Sequence, residues 1–342
     1  MKKNILVTGS AGFIGFHLVK TLLHDETYNI VGIDNINDYY DVNLKLSRLK
    51  EIGIEKENIN EDCSLSLSSK NSNYRFGKID ITNAHNLEIL FKKENFDYVI
   101  HLAAQAGVRY SIENPSAYIQ TNMLGYFNVL ECCRNYKINH FVYASSSSVY
   151  GGNKKVPFSE EDKVDNPVSL YAATKKGNEL MAYTYSHLFD FRTTGLRFFT
   201  VYGPWGRPDM APMLFANAIC KSKPIKVFNN GDMLRDFTYI DDIVDGVIKC
   251  LNFKTTKIPK AEIFNIGNSK PINLMEFIET LEIAINRKSE RIMMPIQPGD
   301  VKVTYADTTK LKDTTGYNPK TEIKQGVKNF IDWYKEYYKL SF

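Results

Sequence analysis

The sequence predicts an α/β fold: a doubly wound parallel sheet covered by helices on both faces, joined to a smaller, mixed α/β C-terminal domain. Three observations carry this. Six short apolar runs, NILVTG, NIVGID, YRFGKID, DYVIHLAA, HFVYASSS and TTGLRFF, end in glycine or polar residues and alternate with longer segments of helical period. The first run opens directly into a glycine-rich turn, GSAGFIG. Beyond about residue 198 the alternation weakens, because Pro204, Pro208, Pro212 and Pro224 interrupt the chain.

A length of 342 residues accommodates one large two-part fold or two ordinary domains, and 43% hydrophobic with 24% charged residues describes a well-packed chain. A net charge of +4 without a dense Lys/Arg block interleaved with aromatics argues against a nucleic-acid partner. The N-terminal segment MKKNILVTGSAGFIGFHLVKTLL is charged and then apolar, but its glycines and polar residues, with no small-residue cleavage site after them, make it a buried strand and helix start. No other segment reaches the roughly 20 apolar residues of a membrane span. Five cysteines, Cys63, Cys132, Cys133, Cys220 and Cys250, have neither disulfide-framework nor metal-ligand spacing, so no metal is expected and a reducing cytoplasm fits.

Residues 51–73 are polar and aperiodic toward their end and read as a surface excursion. IFNIG, residues 263–267, reads as one more buried strand. In the last segment Ile323, Val327, Phe330, Ile331, Tyr334 and Tyr338 share one helical face, as in a helix that covers a core.

GSAGFIG places Gly9, Gly12 and Gly15 at a strand-to-helix turn. The first glycine permits the bend, the second lets backbone amides approach a pyrophosphate, and the third allows close helix packing. The helix N-terminus then faces the negative charge, which makes this a Rossmann-type dinucleotide turn. Asp34 ends the second strand, 19 residues after Gly15 (34 − 15), where a carboxylate accepts from a ribose diol and repels a phosphate. No arginine or lysine follows it before Lys45, so NAD is expected rather than NADP.

Tyr171 and Lys175 in LYAATKKG are four apart, on one helix face. A tyrosine ordinarily titrates near 10, and a neighbouring ammonium and a positive nicotinamide ring both favour its phenolate. The strand HFVYASSSSVYG supplies a hydroxyl cluster about 25 residues upstream.

With these motifs in order, TGSAGFIG, HLAAQAGVRYS, YASSSSVYG, LYAATKKGNE and DFTYIDDIVDG, the chain resembles the extended short-chain dehydrogenase/reductase family over nearly its whole length. The resemblance implies Tyr171 as base, Lys175 on the nicotinamide ribose, and Ser146 on the reacting hydroxyl. It also implies a cofactor groove formed by Gly9, Gly12, Phe13, Ile14, Gly15, Asp34, Asn35, Asn37, Asp80, Ile81, Leu102, Ala103, Ala104 and Asn122. Through DNINDYYDVNLK, HLAAQAGVRYSIENP, FFTVYGPWGRPDMA and IQPGDVKVTYAD it is most similar to nucleotide-sugar 4-epimerases, UDP-glucuronate 4-epimerases in particular. On that basis Thr200, Arg235 and Asp300 would contact the nucleotide half of a UDP-sugar, with a surface ion pair to Asp232 or Asp236 as the alternative for Arg235.

Ser147 and Ser148 stand where relatives that eliminate or decarboxylate commonly carry acids, so oxidation followed by re-reduction is favoured. Ser147, Ser148 and Thr200 would bind the sugar carboxylate, with charge from Arg207 or Arg109; Arg207 can instead pair with Asp209. The implied division is residues 1–197 with 237–268 for NAD and 198–236 with 269–342 for the UDP-sugar. The family further implies a homodimer through the helices after Asn122 and Tyr171, where Met123, Tyr126, Phe127 and Leu130 are equally compatible with core. The remaining readings are a 4-epimerase of another UDP-hexose, such as UDP-glucose or UDP-GlcNAc, a UDP-glucuronate decarboxylase, and a nucleotide-binding regulator without chemistry.

Overall fold

The computed structural model describes residues 2–297 and 300–340. All six apolar runs form strands: β1 (Lys3–Thr8), β2 (Tyr28–Asp34), β4 (Tyr74–Lys78), β5 (Tyr98–His101), β6 (His140–Ser146) and β7 (Arg192–Phe198), while Ser66–Leu67 adds β3. Their sheet is completed by the strand Ala261–Ile266 on the outer edge of β7, in the order Ala261–Ile266, β7, β6, β5, β1, β2, β4, β3. Every neighbouring pair is parallel except β3 with β4.

Within β1, Ile5 and Val7 face one core and Leu6 the other, so the strand needs apolar side chains in succession. The strand order reverses between β1 and β5, and the crevice outside the carboxyl ends of these strands is where open α/β sheets bind ligands.

The segment after residue 198 folds around three small sheets, pairing Thr200–Tyr202 with Phe237–Tyr239, Ile225–Phe228 with Arg291–Met294, and Leu234–Arg235 with Ile272–Asn273. Helices Ala211–Cys220, Leu274–Ile285 and Ile323–Tyr338 pack against them. In the last of these Val327, Phe330, Ile331 and Tyr334 are buried as expected, but Tyr338 is 40% exposed because the helix runs past the core before Lys339 ends it.

Residues 51–73 are more than an excursion. Ser66–Leu67 forms the edge strand β3, and Ser68 Oγ donates to the carbonyl of Ile52 at 2.7 Å. Backbone pairing on an edge requires no apolar period, so the polar sequence carries no trace of it.

Candidate active site

Gly9 has φ +72°, and a Cβ there would stand 2.7 Å from the amide nitrogen of Ala103. Gly12 donates its amide to the Gly9 carbonyl at 3.0 Å and precedes the helix Phe13–Leu22. A Cβ on Gly15 would lie 2.1 Å from the Gly9 carbonyl oxygen. The third glycine therefore lets the turn close on itself, a tighter requirement than helix packing. Gly15→Ala is expected to lower retention of dinucleotide at least about tenfold, since the displaced backbone is the one that must approach a diphosphate; nucleotide released on denaturation of the purified protein measures it.

The cradle fits a dinucleotide. Asp34 accepts from the amides of Ile36 (2.8 Å) and Ala11 (3.3 Å) at the end of β2, beside the glycine turn. Lys45 comes from the helix Val42–Glu51 to within 4.0 Å of Asp34, buried, and donates to the carbonyl and side-chain oxygens of Asn37 at 2.8 and 2.7 Å. Its place beside the acid is set by the return of that helix.

A cavity of about 350 Å³ runs from this turn past Ile81, Leu102, Ala103 and Ala104 to Ser146, Tyr171 and Lys175. Phe13, Ile14, Asn35 and Asn37 also line it. Asp80 and Asn122 stand behind the wall. Asp80 accepts from Asn35 Nδ2 (2.9 Å) and from Thr82, while Asn122 brackets the backbone of Gln105, accepting from its amide (2.8 Å) and donating to its carbonyl (2.9 Å). Asn122 lies in a π-helical turn, Ile119–Gly125.

Ser146 closes β6 and Tyr171 opens the helix Leu170–Phe189, whose N-cap, Ser169, accepts from the Ala172 amide at 3.1 Å. The Lys175 ammonium donates to the Ala144 carbonyl at 2.8 Å, and burial pushes it down to about 8. Burial raises the Tyr171 phenol above its ordinary value; the Ser146 hydroxyl and the Arg207 guanidinium pull it back, and Asp209 opposes them. The spacing of four puts Tyr171 and Lys175 on one face as expected. The lysine's length, however, carries its charge to the end of β6, and the groups acting on the phenol are Ser146, Arg207 and Asp209.

A second cavity of about 800 Å³ continues from the first, sharing Tyr39, Gly107, Val108, Ser147, Ser148, Thr200 and Met210. Arg207 pairs with Asp209, which also accepts from Tyr39 Oη at 3.1 Å. Arg109 bonds Asp300 at 3.2 Å and lies over the Phe228 ring.

Arg235 lines the same cavity, its guanidinium donating to the Leu234 and Lys302 carbonyls, both at 3.0 Å. The alternative of an ion pair with Asp232 or Asp236 is not realised. Asp232 pairs with Lys302, and Asp236 is buried, accepting from the amides of Asn268, Ser269 and Ala306. Within IQPGDVKVTYAD, Pro298 and Gly299 lie outside the described residues.

Tyr39, Lys45, Gln105, Met210 and Phe228 line the cavities without having been singled out by the sequence. Tyr39 and Lys45 do fall within DNINDYYDVNLK, Gln105 within HLAAQAGVRYSIENP and Met210 within FFTVYGPWGRPDMA, stretches that carry the resemblance.

Residues 5–267 match the model of the NAD dependent epimerase/dehydratase family. The chain is 48% identical to Protein CapI of Staphylococcus aureus, over 98% of this chain and 99% of that one. It is 44% identical to the UDP-glucuronate 4-epimerase of Thermodesulfobacterium geofontis, over 97% and 96%. Among solved structures it resembles a UDP-glucuronic acid 4-epimerase from Bacillus cereus in complex with UDP-glucuronic acid and NAD, with a TM-score of 0.88 and 33% identity over 98% of this chain and 100% of that one.

Proposed function

The chain belongs to the NAD dependent epimerase/dehydratase family, and from that premise we propose that this NAD-dependent epimerase inverts C4 of UDP-glucuronate to give UDP-galacturonate. One observation carries the reading: Ser146, Tyr171 and Lys175 converge on the dinucleotide cavity just where it opens into the second one, with neutral Ser147, Ser148 and Thr200 at the junction.

In this reading Tyr171 Oη takes the proton of the 4-hydroxyl and later returns it, and Ser146 Oγ holds that hydroxyl in line. Lys175 anchors the nicotinamide ribose, and Gly9 through Gly15 with Asp34 hold the rest of the cofactor. NAD, when bound, would supply the hydride acceptor and donor for C4, redox chemistry that no side chain here provides. Arg235 suits the diphosphate, because a planar guanidinium matches phosphate oxygens in a bidentate fork. With the nucleotide so anchored, the sugar can turn over between the two hydride transfers. Ser147, Ser148 and Thr200 hold the C5 carboxylate through neutral hydrogen bonds and offer no acid–base group at C5, which disfavours decarboxylation.

A second reading, a 4-epimerase of a neutral UDP-hexose, draws support from one feature: Arg207 and Arg109 are already paired with Asp209 and Asp300. NMR of products from UDP-glucuronate, UDP-glucose and UDP-GlcNAc, tested side by side, decides between them. UDP-galacturonate without accumulated NADH is expected; turnover confined to a neutral sugar overturns the assignment, and a pentose product indicates decarboxylation.

The proposal extends to a cytoplasmic homodimer that supplies a hexuronic acid for capsule or other surface polysaccharide, with residues 1–197 and 237–268 serving NAD and 198–236 and 269–342 the UDP-sugar. Exposed Leu124, Phe127, Leu180 and Tyr183 on the helices after Asn122 and Tyr171 support the dimer, whereas Tyr126 and Leu130 are core. Among the described residues no helix is long and apolar enough to cross a membrane.

A further inference from the structure

The turn that precedes Arg207 is held from the opposite end of the sequence. Three consecutive carbonyls are captured: that of Pro204 by His17 Nε2 at 2.9 Å, and those of Trp205 and Gly206 by one terminal nitrogen of Arg48 at 2.7 and 3.4 Å. The other terminal nitrogen of Arg48 donates to the carbonyl of Ala11, inside the glycine turn, at 2.9 Å and to Tyr40 Oη at 2.7 Å. His17 lies on the helix that the same glycine turn opens.

Arg48 is fully buried, and among the described residues it has no carboxylate partner. Its Nε is buried without an acceptor. A buried guanidinium without a counter-charge is costly, and an apolar side chain of similar volume would serve packing better. What the guanidinium alone offers is a rigid fork that reaches two chain segments at once. The turn it holds is one that relaxes readily, because Trp205 has φ +60°, the left-handed region that a bulky residue rarely adopts.

We infer that Arg48, assisted by His17, is a positioning residue that ties the dinucleotide turn to the loop bearing Arg207, and so holds Arg207 in the wall of the cavity that Tyr171 also lines. The inference rests on the reading of Tyr171 as the base. The groups acting on that phenol are Ser146 from β6 and Arg207 and Asp209 from the loop; the Tyr118 ring packs 6.0 Å away, Lys175 follows on the same helix, and Tyr39 donates to Asp209. Arg207 favours the phenolate more than Asp209 opposes it, so a loop that carries both away lets the phenol titrate higher. Activity that needs the phenolate is then lost first at low pH.

Arg48→Met and Arg48→Lys are compared with the parent protein by bound NAD and by the pH profile of kcat on UDP-glucuronate. The expected result for both is retained NAD, kcat lower by about tenfold near neutrality, an acid limb displaced upward by about half a pH unit or more, and little change in KM. Lysine does not rescue, since a single ammonium cannot bridge both segments. Variants that hold NAD with the parent's kcat and acid limb overturn the inference.

If the Arg48 variants fail to fold or lose NAD, His17→Phe decides. It keeps a ring against Phe13 and Phe16, removes only the bond to Pro204, and must displace the limb in the same direction. An active Tyr171→Phe would instead sink the assignment of the base, which separates the two failures.

Discussion

Tyr171→Phe is expected to lower turnover by about a thousandfold or more while the protein keeps its NAD and its stability. In the proposed mechanism the phenol oxygen takes the 4-hydroxyl proton, and positioned proton transfer is worth about 10²–10⁴-fold. The rest of the site does not depend on that oxygen. Lys175 is held by the Ala144 carbonyl, and Ser146 accepts from the Ser148 amide and donates to the Ser148 hydroxyl, both at 3.1 Å. Steady-state kinetics, with NAD quantified after denaturation, tests both halves. Residual activity within tenfold of the parent would mean that another group moves the proton.

The second large effect is on stability. Arg197 in β7 forms a two-pronged pair with Glu179 on the helix that carries Tyr171 and Lys175, at 2.8 and 2.9 Å, with both side chains buried. Ser145 Oγ donates to Glu179 at 2.6 Å. Tyr150 Oη accepts from Arg197 at 3.0 Å and donates to Asn265 at 2.6 Å. Burial pushes the Glu179 carboxyl up, but the hydrogen bond and charge of Arg197, with Ser145, more than offset it and hold the group below its ordinary value.

Arg197→Met leaves that carboxylate with only the Ser145 hydroxyl and the Lys176 ammonium at 3.5 Å, and is expected to cost about 3 kcal/mol, read as a lower urea midpoint. Adding Glu179→Gln should recover most of the loss, because the buried charge that has lost its two-pronged partner is gone. The sign with pH follows from the depressed carboxyl: the pair's contribution is complete above the unfolded-state pKa and disappears as pH falls through the lower folded value. The parent should therefore lose stability on acidification more steeply than the double variant. An unchanged urea midpoint in Arg197→Met would show that solvent reaches the pair.

Much of the fold was legible because its signals are local. Six apolar runs marked six strands, since a strand buried on both faces must be apolar in succession. Gly9 and Gly15 marked the dinucleotide turn because no other residue fits where a Cβ would strike a backbone atom. Tyr171 and Lys175 marked their shared helix face by spacing alone. Ser66–Leu67 escaped notice because an edge strand pairs through its backbone.

The partnerships inside the site belong to the other category. Lys45 reaches Asp34, Tyr39 reaches Asp209 across 170 positions, and Arg48 reaches Trp205 across 157. The sequence by itself determined the strand-and-helix alternation, the dinucleotide turn and the placing of Tyr171 and Lys175 on one helix face, all set by geometry within a few residues. Only the tertiary structure decided which charges meet: Lys175 with a carbonyl, Arg207 with Asp209 beside the cavity that Tyr171 lines, and Arg235 with two carbonyls in place of an acid. Pairing across long stretches of chain depends on how helices return over the sheet, and periodicity carries no record of that.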